Sequence, residues 1–408
     1  MSFAIKTILK KILEKKLLIL VVLIFFVFSS YYIPKTQPFE WQYMHHFEQA
    51  EAFLNLRLDI SNQHKLTEVI TRNGKYFIVF PPGPTLFILP LFAIFGYDLN
   101  FQLFMQIISI LCIILIYSLI FKITNNKITS IILTIAFSFG TVFLWAANHL
   151  GVWFTNQIFA LLFTLLLLNE CFGKKRSILM GLYLGLGIIS RQLTIFYIIF
   201  AITVILIKHC VILTKYQEHH FTINFHLIRK KLFLKDVAGV TGILGLFVFF
   251  YLFLNYLKFG SLFATGYDKL IDYAWFKLNY IPWELYQYFF QPPYLRKAFP
   301  FLTPPATGQA IIFTTPLFLL VFYKKIKKEI LIPIWLTILP IFAIHMLYWS
   351  SGGGQLGTRY ILDYMPLLFC LLAYRYRENI DAKLIFLTCL SIFFCLSGTL
   401  LLKVYWGS

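Results

Sequence analysis

Acidic side chains are scarce in this chain: 17 Asp and Glu stand against 36 Lys and Arg in 408 residues, and only 13% of positions are charged. A water-soluble domain of this length needs a polar shell that such a composition does not supply, which excludes a freely soluble globule. The six cysteines, Cys112, Cys171, Cys210, Cys370, Cys389 and Cys395, lack the spacing of a zinc site, a redox motif or a disulfide framework. Neither a Gly/Ser-rich linker nor a repeat of fixed period breaks the sequence, so residues 1–408 read as a single membrane domain.

What is abundant is apolar. Hydrophobic residues make up 59% of the chain and come in runs of about 20, the length that crosses a bilayer. The formal net charge of +19 is not a nucleic-acid signature, because the basic residues sit in short clusters between apolar runs, as in loops retained in the cytoplasm. The first cluster, Lys6, Lys10, Lys11, Lys15 and Lys16, precedes an apolar run from Leu17 to Ile33, so the N-terminus is expected inside, followed by a retained anchor rather than a cleaved signal peptide. Clusters at Lys122 and Lys127, 174–176, 208–236, 324–329 and 375–383 are expected on the same side, separated by even numbers of crossings.

That parity removes one apolar segment from the count. Residues 77–96, broken by Pro81, Pro82, Gly83, Pro84 and Pro90, are expected to form a juxtamembrane or re-entrant helix on the outer side. The expected fold is an all-α polytopic membrane protein with about 11 transmembrane helices plus outer juxtamembrane helices. The spans fall near 17–33, 100–121, 128–146, 154–172, 177–190, 193–209, 237–257, 309–323, 330–348, 360–374 and 384–402, with the C-terminus outside. Two outer segments are long: 34–98, the first outer loop with its juxtamembrane helices, and 258–308. The inner stretch 210–236, with His219, His220 and His226, reads as a solvated interfacial loop.

The outer segments concentrate the polar residues. In the first, Pro38-Phe39-Glu40-Trp41 leads into an amphipathic helix with an apolar stripe of Tyr43, Phe47, Ala50 and Leu54. Glu40 and Glu51 project to nearly the same side as Phe47. Either they line a wet cavity, or Glu40 begins the helix and Glu51 is solvated, and pattern alone does not separate the two. His45, His46 and Glu48 resemble metal ligands but lack a third well-placed one, and the spacing of His219, His220 and His226 does not support a metal either; a divalent metal is possible but unsupported, and no cofactor is expected. Arg191 follows Gly181, Gly185 and Gly187 between two short apolar runs, which puts its guanidinium near the outer end of a helical hairpin. A phosphate or a structural ion pair would hold it there. The late loop from Trp349 to Tyr360 carries Arg359, with Asp363 four residues on as a helical partner or a binding group. It lacks the Gly-Lys-Ser/Thr of a P-loop, which excludes nucleotide binding there.

In order, Phe39-Glu40-Trp41-Gln42-Tyr43, Arg57-Leu58-Asp59, Asn73-Gly74-Lys75-Tyr76, Phe80-Pro81-Pro82-Gly83, Ile189-Ser190-Arg191-Gln192, Asn255 to Gly260 with Thr265-Gly266-Tyr267, and Trp349 to Tyr360 resemble the GT-C superfamily of membrane glycosyltransferases. Relatives of that kind include bacterial lipid A aminoarabinose transferases and protein O-mannosyltransferases. The resemblance implies transfer of a sugar from a polyprenyl-phosphate carrier to a lipid, glycan or protein acceptor on the outer face of the plasma membrane. It departs in having Glu40 alone where many relatives carry Asp or Asp-Glu, and in offering Asn148, His149, Trp153 and Asn156 but no acid in the second outer loop. On this reading Glu40 is the general base. Arg191, Arg359 and Lys75 are the donor-phosphate cations, and Tyr76, Glu51, Asp59, His149 and Tyr267 are sugar or acceptor contacts. One base opposite the leaving group implies inversion at the anomeric carbon. A transporter or lipid-linked sugar flippase is the competing class, for which Arg191 and the broken helices would form a path.

Overall fold

The computed structural model describes residues 16–31, 44–61, 66, 68–217, 220–227, 229–267, 270, 276–295, 297, 302–305, 307–323, 326–353 and 355–406. Glu40 and Tyr43 lie outside the described residues, as does the Pro38–Trp41 lead-in.

The described chain is mostly helical. It begins with α1 (Lys16–Tyr31) and α2 (Met44–Leu54), then a hairpin of β1 (Val69–Arg72) and β2 (Lys75–Ile78). Next come α3 (Gly83–Phe95), α4 (Phe101–Thr124), α5 (Lys127–Phe139), α6 (Val142–Ala147), α7 (Val152–Cys171) and α8 (Ser177–Ile188). A 3-10 turn at Gln192–Phe196 opens α9 (Tyr197–His209), which is followed by strands β3 (Cys210–Gln217) and β4 (His220–Leu227) and by α10 (Lys230–Phe259). The segment 258–308 holds α11 (Ile281–Phe289), β5 (Tyr294–Leu295) and β6 (Leu302–Thr303). The chain closes with α12 (Ile311–Thr314), a 3-10 helix at Pro316–Phe322, α13 (Lys328–Leu347), a 3-10 helix at Arg359–Asp363, α14 (Met365–Arg375) and α15 (Ala382–Trp406).

Among the described residues six helical segments are long and apolar enough to cross a membrane: Phe101–Thr124, Val152–Cys171, Gln192–His209, Lys230–Phe259, Lys328–Leu347 and Ala382–Leu400. At 1.5 Å per residue the 24 residues of α4 reach about 36 Å, enough for a hydrocarbon core. Five further apolar helices are shorter, and the expected span at 309–323 is a single α turn followed by 3-10 helix.

Local chemistry sets the element ends. Asn100 caps α4 by accepting from Leu103 N at 3.0 Å; Asn125 closes it in the left-handed region at φ 50°; Asn126 caps α5 by accepting from Ile128 N and Thr129 N. A basic loop thus becomes a tight αα-turn. Helix α7 is the central post, with 89% of its span buried, whereas α10 has 22% buried and presents most of its surface outward. Where α10 does pack, it meets the glycine face of α8. A Cβ on Gly181 would fall 2.7 Å from Val240 O, so the two backbones approach as only small residues allow.

Two expectations about segments need correction. Residues 77–96 do not form one helix: Lys75–Ile78 pairs antiparallel with Val69–Arg72 around Asn73 (φ 52°) and Gly74 (φ 71°), and the helix begins only at Gly83, after Pro81-Pro82. The alternating side chains and the Asn-Gly turn favour strand pairing over continuation of the apolar run. The stretch 210–236, expected on the inner side, is likewise not an open loop, because Cys210–Gln217 pairs with His220–Leu227 and α10 starts at Lys230.

The hairpin of β1 and β2 has its own apolar cluster, in which Ile70, Phe77, Ile78 and Phe80 pack with Val152 and Phe259. It therefore covers the N-terminal end of α7 and the C-terminal end of α10. Helix α3 is tied in by its first residue: Gly83 N donates to Ile189 O at 2.7 Å, and a Cβ there would overlap Ser190. That bond fixes α3 against the turn carrying Arg191.

Candidate functional site

Five elements converge beside that turn. Arg191 precedes the 3-10 turn Gln192–Phe196, and its Nε donates to Asp363 Oδ1 at 2.6 Å. Asp363 Oδ2 pairs with His345 Nε2 at 3.0 Å, and the Asp363 carbonyl accepts from Tyr197 Oη at 2.9 Å. The carboxylate is thus held from two sides. Burial works against the charge of Arg191, and the neighbouring carboxylate of Asp363 more than offsets it, holding its pKa above the usual arginine value.

Arg359 was expected to face Asp363 across one helical turn. It does not, because Arg359–Asp363 is 3-10 helix, where three residues make a turn and i, i+4 side chains diverge. Asp363 goes instead to Arg191, 172 positions away in sequence. The structural ion pair weighed for Arg191 is therefore present. Among the described residues Arg359 makes no salt bridge: it is 8% exposed, its guanidinium carbon lies 5.1 Å from the Phe154 ring and 5.2 Å from the Tyr360 ring, and its Nε has no hydrogen-bond partner. Gln355 Oε1 lies 3.4 Å from its Nη1, and the Glu68 carboxylate is within electrostatic range. Gln355 is itself pinned by bonds from its amide to Ser351 O and Thr307 O. Arg191 approaches the same Tyr360 ring at 5.2 Å.

The hairpin brings a carboxylate that reading the sequence passed over. Glu68, at φ 56° just before β1, accepts from Trp153 Nε1 with both oxygens at 3.1 and 3.2 Å. Burial pushes its pKa above the ordinary carboxylate value, while the Trp153 bond and the charge of Arg359 pull the other way. Tyr267 and Tyr348 also lie within electrostatic range of both Glu68 and Arg191. The signal for Glu68 was in the sequence: Asn73-Gly74 between alternating segments announces a hairpin, and Glu68 stands at its foot.

The other expected residues are distributed as follows. Tyr267 joins the cluster through Phe80, with ring centroids 6.2 Å apart, and Phe80 in turn meets Trp153 at 6.1 Å. His149 lies behind Phe154 at 5.2 Å, stacked on Trp145 at 3.7 Å, with Nδ1 2.8 Å from Trp145 O. Burial pushes its imidazole down to about 4, against the Trp145 carbonyl. Tyr76 packs into the hairpin's apolar cluster.

Lys75 and Asp59 pair with each other at 3.2 Å, with the lysine side chain 60% exposed, so they form a surface contact apart from the buried arginines. Glu51 takes a different partner as well: Tyr97 Oη donates to it at 2.8 Å and to Glu48 Oε1 at 3.1 Å. Helix α2 is less simply amphipathic than its stripe implied. Leu54 is exposed, whereas His45, His46, Glu48 and Gln49 are buried, with His46 Nδ1 2.9 Å from Thr85 Oγ1 and Thr85 donating to Gln49 Oε1 at 2.6 Å. Among the described residues no group of three or more His, Cys, Asp or Glu is arranged to hold a metal.

The assembled site is therefore an ion-paired arginine, an unpaired arginine sharing its aromatic neighbour, and a tryptophan-held carboxylate. Such a set can grip an oxyanion and accept a proton beside it. No protein-family model matches the chain, and no curated protein matches it.

Proposed function

We propose that the chain is a multi-pass membrane transferase that moves a sugar from a polyprenyl-phosphate carrier to an acceptor at the outer face of the plasma membrane. The observation that carries this reading is the buried guanidinium of Arg359, which among the described residues makes no salt bridge and leaves Nε without a hydrogen-bond partner. Keeping an unpaired cation out of water is costly unless a ligand anion completes it, and the planar fork of arginine matches phosphate. Arg191, already balanced by Asp363, supplies a second donor edge without adding net charge.

In the reaction the acceptor hydroxyl gives its proton to a carboxylate and its oxygen bonds to the anomeric carbon. The carbon–oxygen bond to phosphate breaks, and the electron pair leaves on the phosphate beside Arg359. Attack from the face opposite the leaving group inverts the centre. Glu68 is placed for the base by its position near Arg359, and Glu40 is the base implied by the GT-C resemblance. The topology that accompanies this reading has eleven crossings, counted as about 20 residues each, with the N-terminus inside and the hairpin of β1 and β2 outside.

Reconstitution tests it. Purified chain in detergent, given undecaprenyl-phosphate-linked pentoses and hexoses with an envelope-lipid extract as acceptor, should release undecaprenyl phosphate and form a glycosylated product. Arg359→Ala should abolish both. Detergent has no second compartment, so turnover there separates a transferase from a flippase. Unaltered envelope glycans and glycolipids in a deletion strain, read by mass spectrometry, would sink the proposal.

A further inference from the structure

The polarity of α11 is the reverse of what water selects. Its exposed residues are Pro282, Trp283, Leu285, Tyr286 and Phe289, while its acid and its amide, Glu284 and Gln287, are 0% and 2% exposed. Past the helix the pattern continues, with Phe290, Tyr294 and Leu295 exposed and Gln291 buried. Between Leu278 and Leu295 no charged side chain reaches the surface, and exposed Lys277 and Lys297 bracket the stretch. Burial raises the Glu284 carboxyl to about 8, so at neutral pH it is protonated and the inner face carries no charge either. An aromatic surface of this extent, free of charge and flanked by lysines, is costly in water. It suits the zone where Trp and Tyr rings meet lipid headgroups and lysines reach the phosphates.

The position of α11 says what covers that surface. Tyr288 and Phe289 meet the Phe342 ring of α13 at 5.8 and 6.0 Å, and Lys277 N donates to Leu347 O, at the end of α13, at 3.0 Å. The 20 residues of α13 extend about 30 Å, the thickness of a hydrocarbon core, so Leu347 marks one boundary of the bilayer. Along the same span Ile332, Leu336 and Leu339 are exposed, so lipid reaches this helix. At 1.5 Å per residue Phe342 lies about 8 Å below that boundary. An interfacial helix buries its apolar face to roughly that depth, about 5–10 Å. We infer that the segment carrying α11 docks on the bilayer, with Trp283, Tyr286 and Phe289 at the headgroup–acyl boundary and Lys277 and Lys297 against lipid phosphates.

The inner side of the same helix reaches the arginine cluster. Tyr288 is bonded to Thr358, the residue before Arg359, and packs with Tyr360. One helix thus stands between the lipid and the ring that both arginines approach. The inference rests on the membrane reading of the chain and not on the transfer reaction.

The test uses the full chain in lipid nanodiscs, with 5-fluorotryptophan at its eight tryptophan positions. Fluorine NMR gives one line for Trp283, assigned as the line lost in Trp283→Phe. A nitroxide near the headgroup end of the lipid acyl chain should erase that line, and a gadolinium chelate in the water should leave it. Separately, Trp283→Asp with Tyr286→Asp should lower Tm in nanodiscs further than Trp283→Asn with Tyr286→Asn, because a charge held at this depth is costly and its isosteric amide is less so. The fluorine measurement stands alone if neither pair folds. The inference is overturned if the aqueous chelate erases the line, or if the line survives both agents, which would put a second copy of the chain on this face. Equal Tm for the Asp and Asn pairs would overturn it as well.

Discussion

Arg191 and Arg359 approach one aromatic ring, each guanidinium carbon 5.2 Å from the centroid of Tyr360, yet among the described residues only Arg191 makes a salt bridge. The asymmetry divides their proposed roles. Arg191 is held by the fold, and on the proposed function Arg359 awaits the donor phosphate.

For Arg359 the expected signature is a separation of stability from binding. Arg359→Met keeps the packing against Phe154 and removes a buried unpaired charge, so Tm should hold or rise. Affinity for undecaprenyl phosphate should fall about ten- to hundredfold, the worth of a hydrogen bond to a charged group. Native mass spectrometry and thermal unfolding on one preparation check both.

Asp363→Asn should act in the opposite sense. It leaves Arg191 buried without its counter-charge, a loss of about 3–5 kcal/mol in such pairs. The double variant Arg191→Met with Asp363→Leu should recover most of the lost Tm, and a double-mutant cycle measures the coupling.

Glu68 sets a pH dependence. A carboxylate whose folded pKa lies above its ordinary value reaches its charged form only at higher pH, so transfer that uses Glu68 as base should rise with pH through a limb above the usual carboxylate range. Trp153, Arg359, Tyr267 and Tyr348 face it. Trp153→Phe removes a bond that favours the charged form and should move the limb to higher pH. Stability runs the opposite way from transfer: the contribution of Glu68 to stability is complete below its unfolded pKa and is lost as pH rises through the folded one. Glu68→Gln should abolish the limb, whereas a limb that survives in it and disappears in Glu40→Gln would assign the base to Glu40.

Gly83→Ala should loosen the site without touching it. Its Cβ would lie 2.7 Å from Ile189 O and 2.8 Å from Ser190 Cα, both backbone atoms that cannot swing aside. Overpacking of this kind costs about 1–3 kcal/mol. Tm should drop accordingly, and turnover should fall more than in a surface substitution of equal cost, such as one at exposed Leu56.

The membrane character, the hairpin turn carrying Arg191 and the glycine-rich approach of Arg359 were legible in the sequence, because apolar run length and breaker residues are local signals. The partner of Arg191 was not. Asp363 was read as either a helical partner of Arg359 or a binding group, on a spacing that holds for α-helix, and the chain there is 3-10. Glu68 was passed over because residues 77–96 were read as one helix, which hid the strand pairing that lifts its neighbour segment over α7. Glu284 gave no sign at all: a Trp-Glu-Leu-Tyr-Gln-Tyr run looks like an interfacial helix with its acid toward water, and only tertiary packing turns that acid inward.

The backbone hydrogen bond donated by Gly83 N to Ile189 O joins α3 to the turn two residues before Arg191 with no side chain between them. Helix α3 ends in Ile94 and Phe95, 73% and 54% exposed and suited to acyl chains. A leaflet that thins or thickens tilts the helices it holds, at a modest cost per ångström of mismatch. On the proposed function, tilt of α3 would bear directly on the turn before Arg191, and turnover is expected to vary with the acyl-chain length of the surrounding lipid.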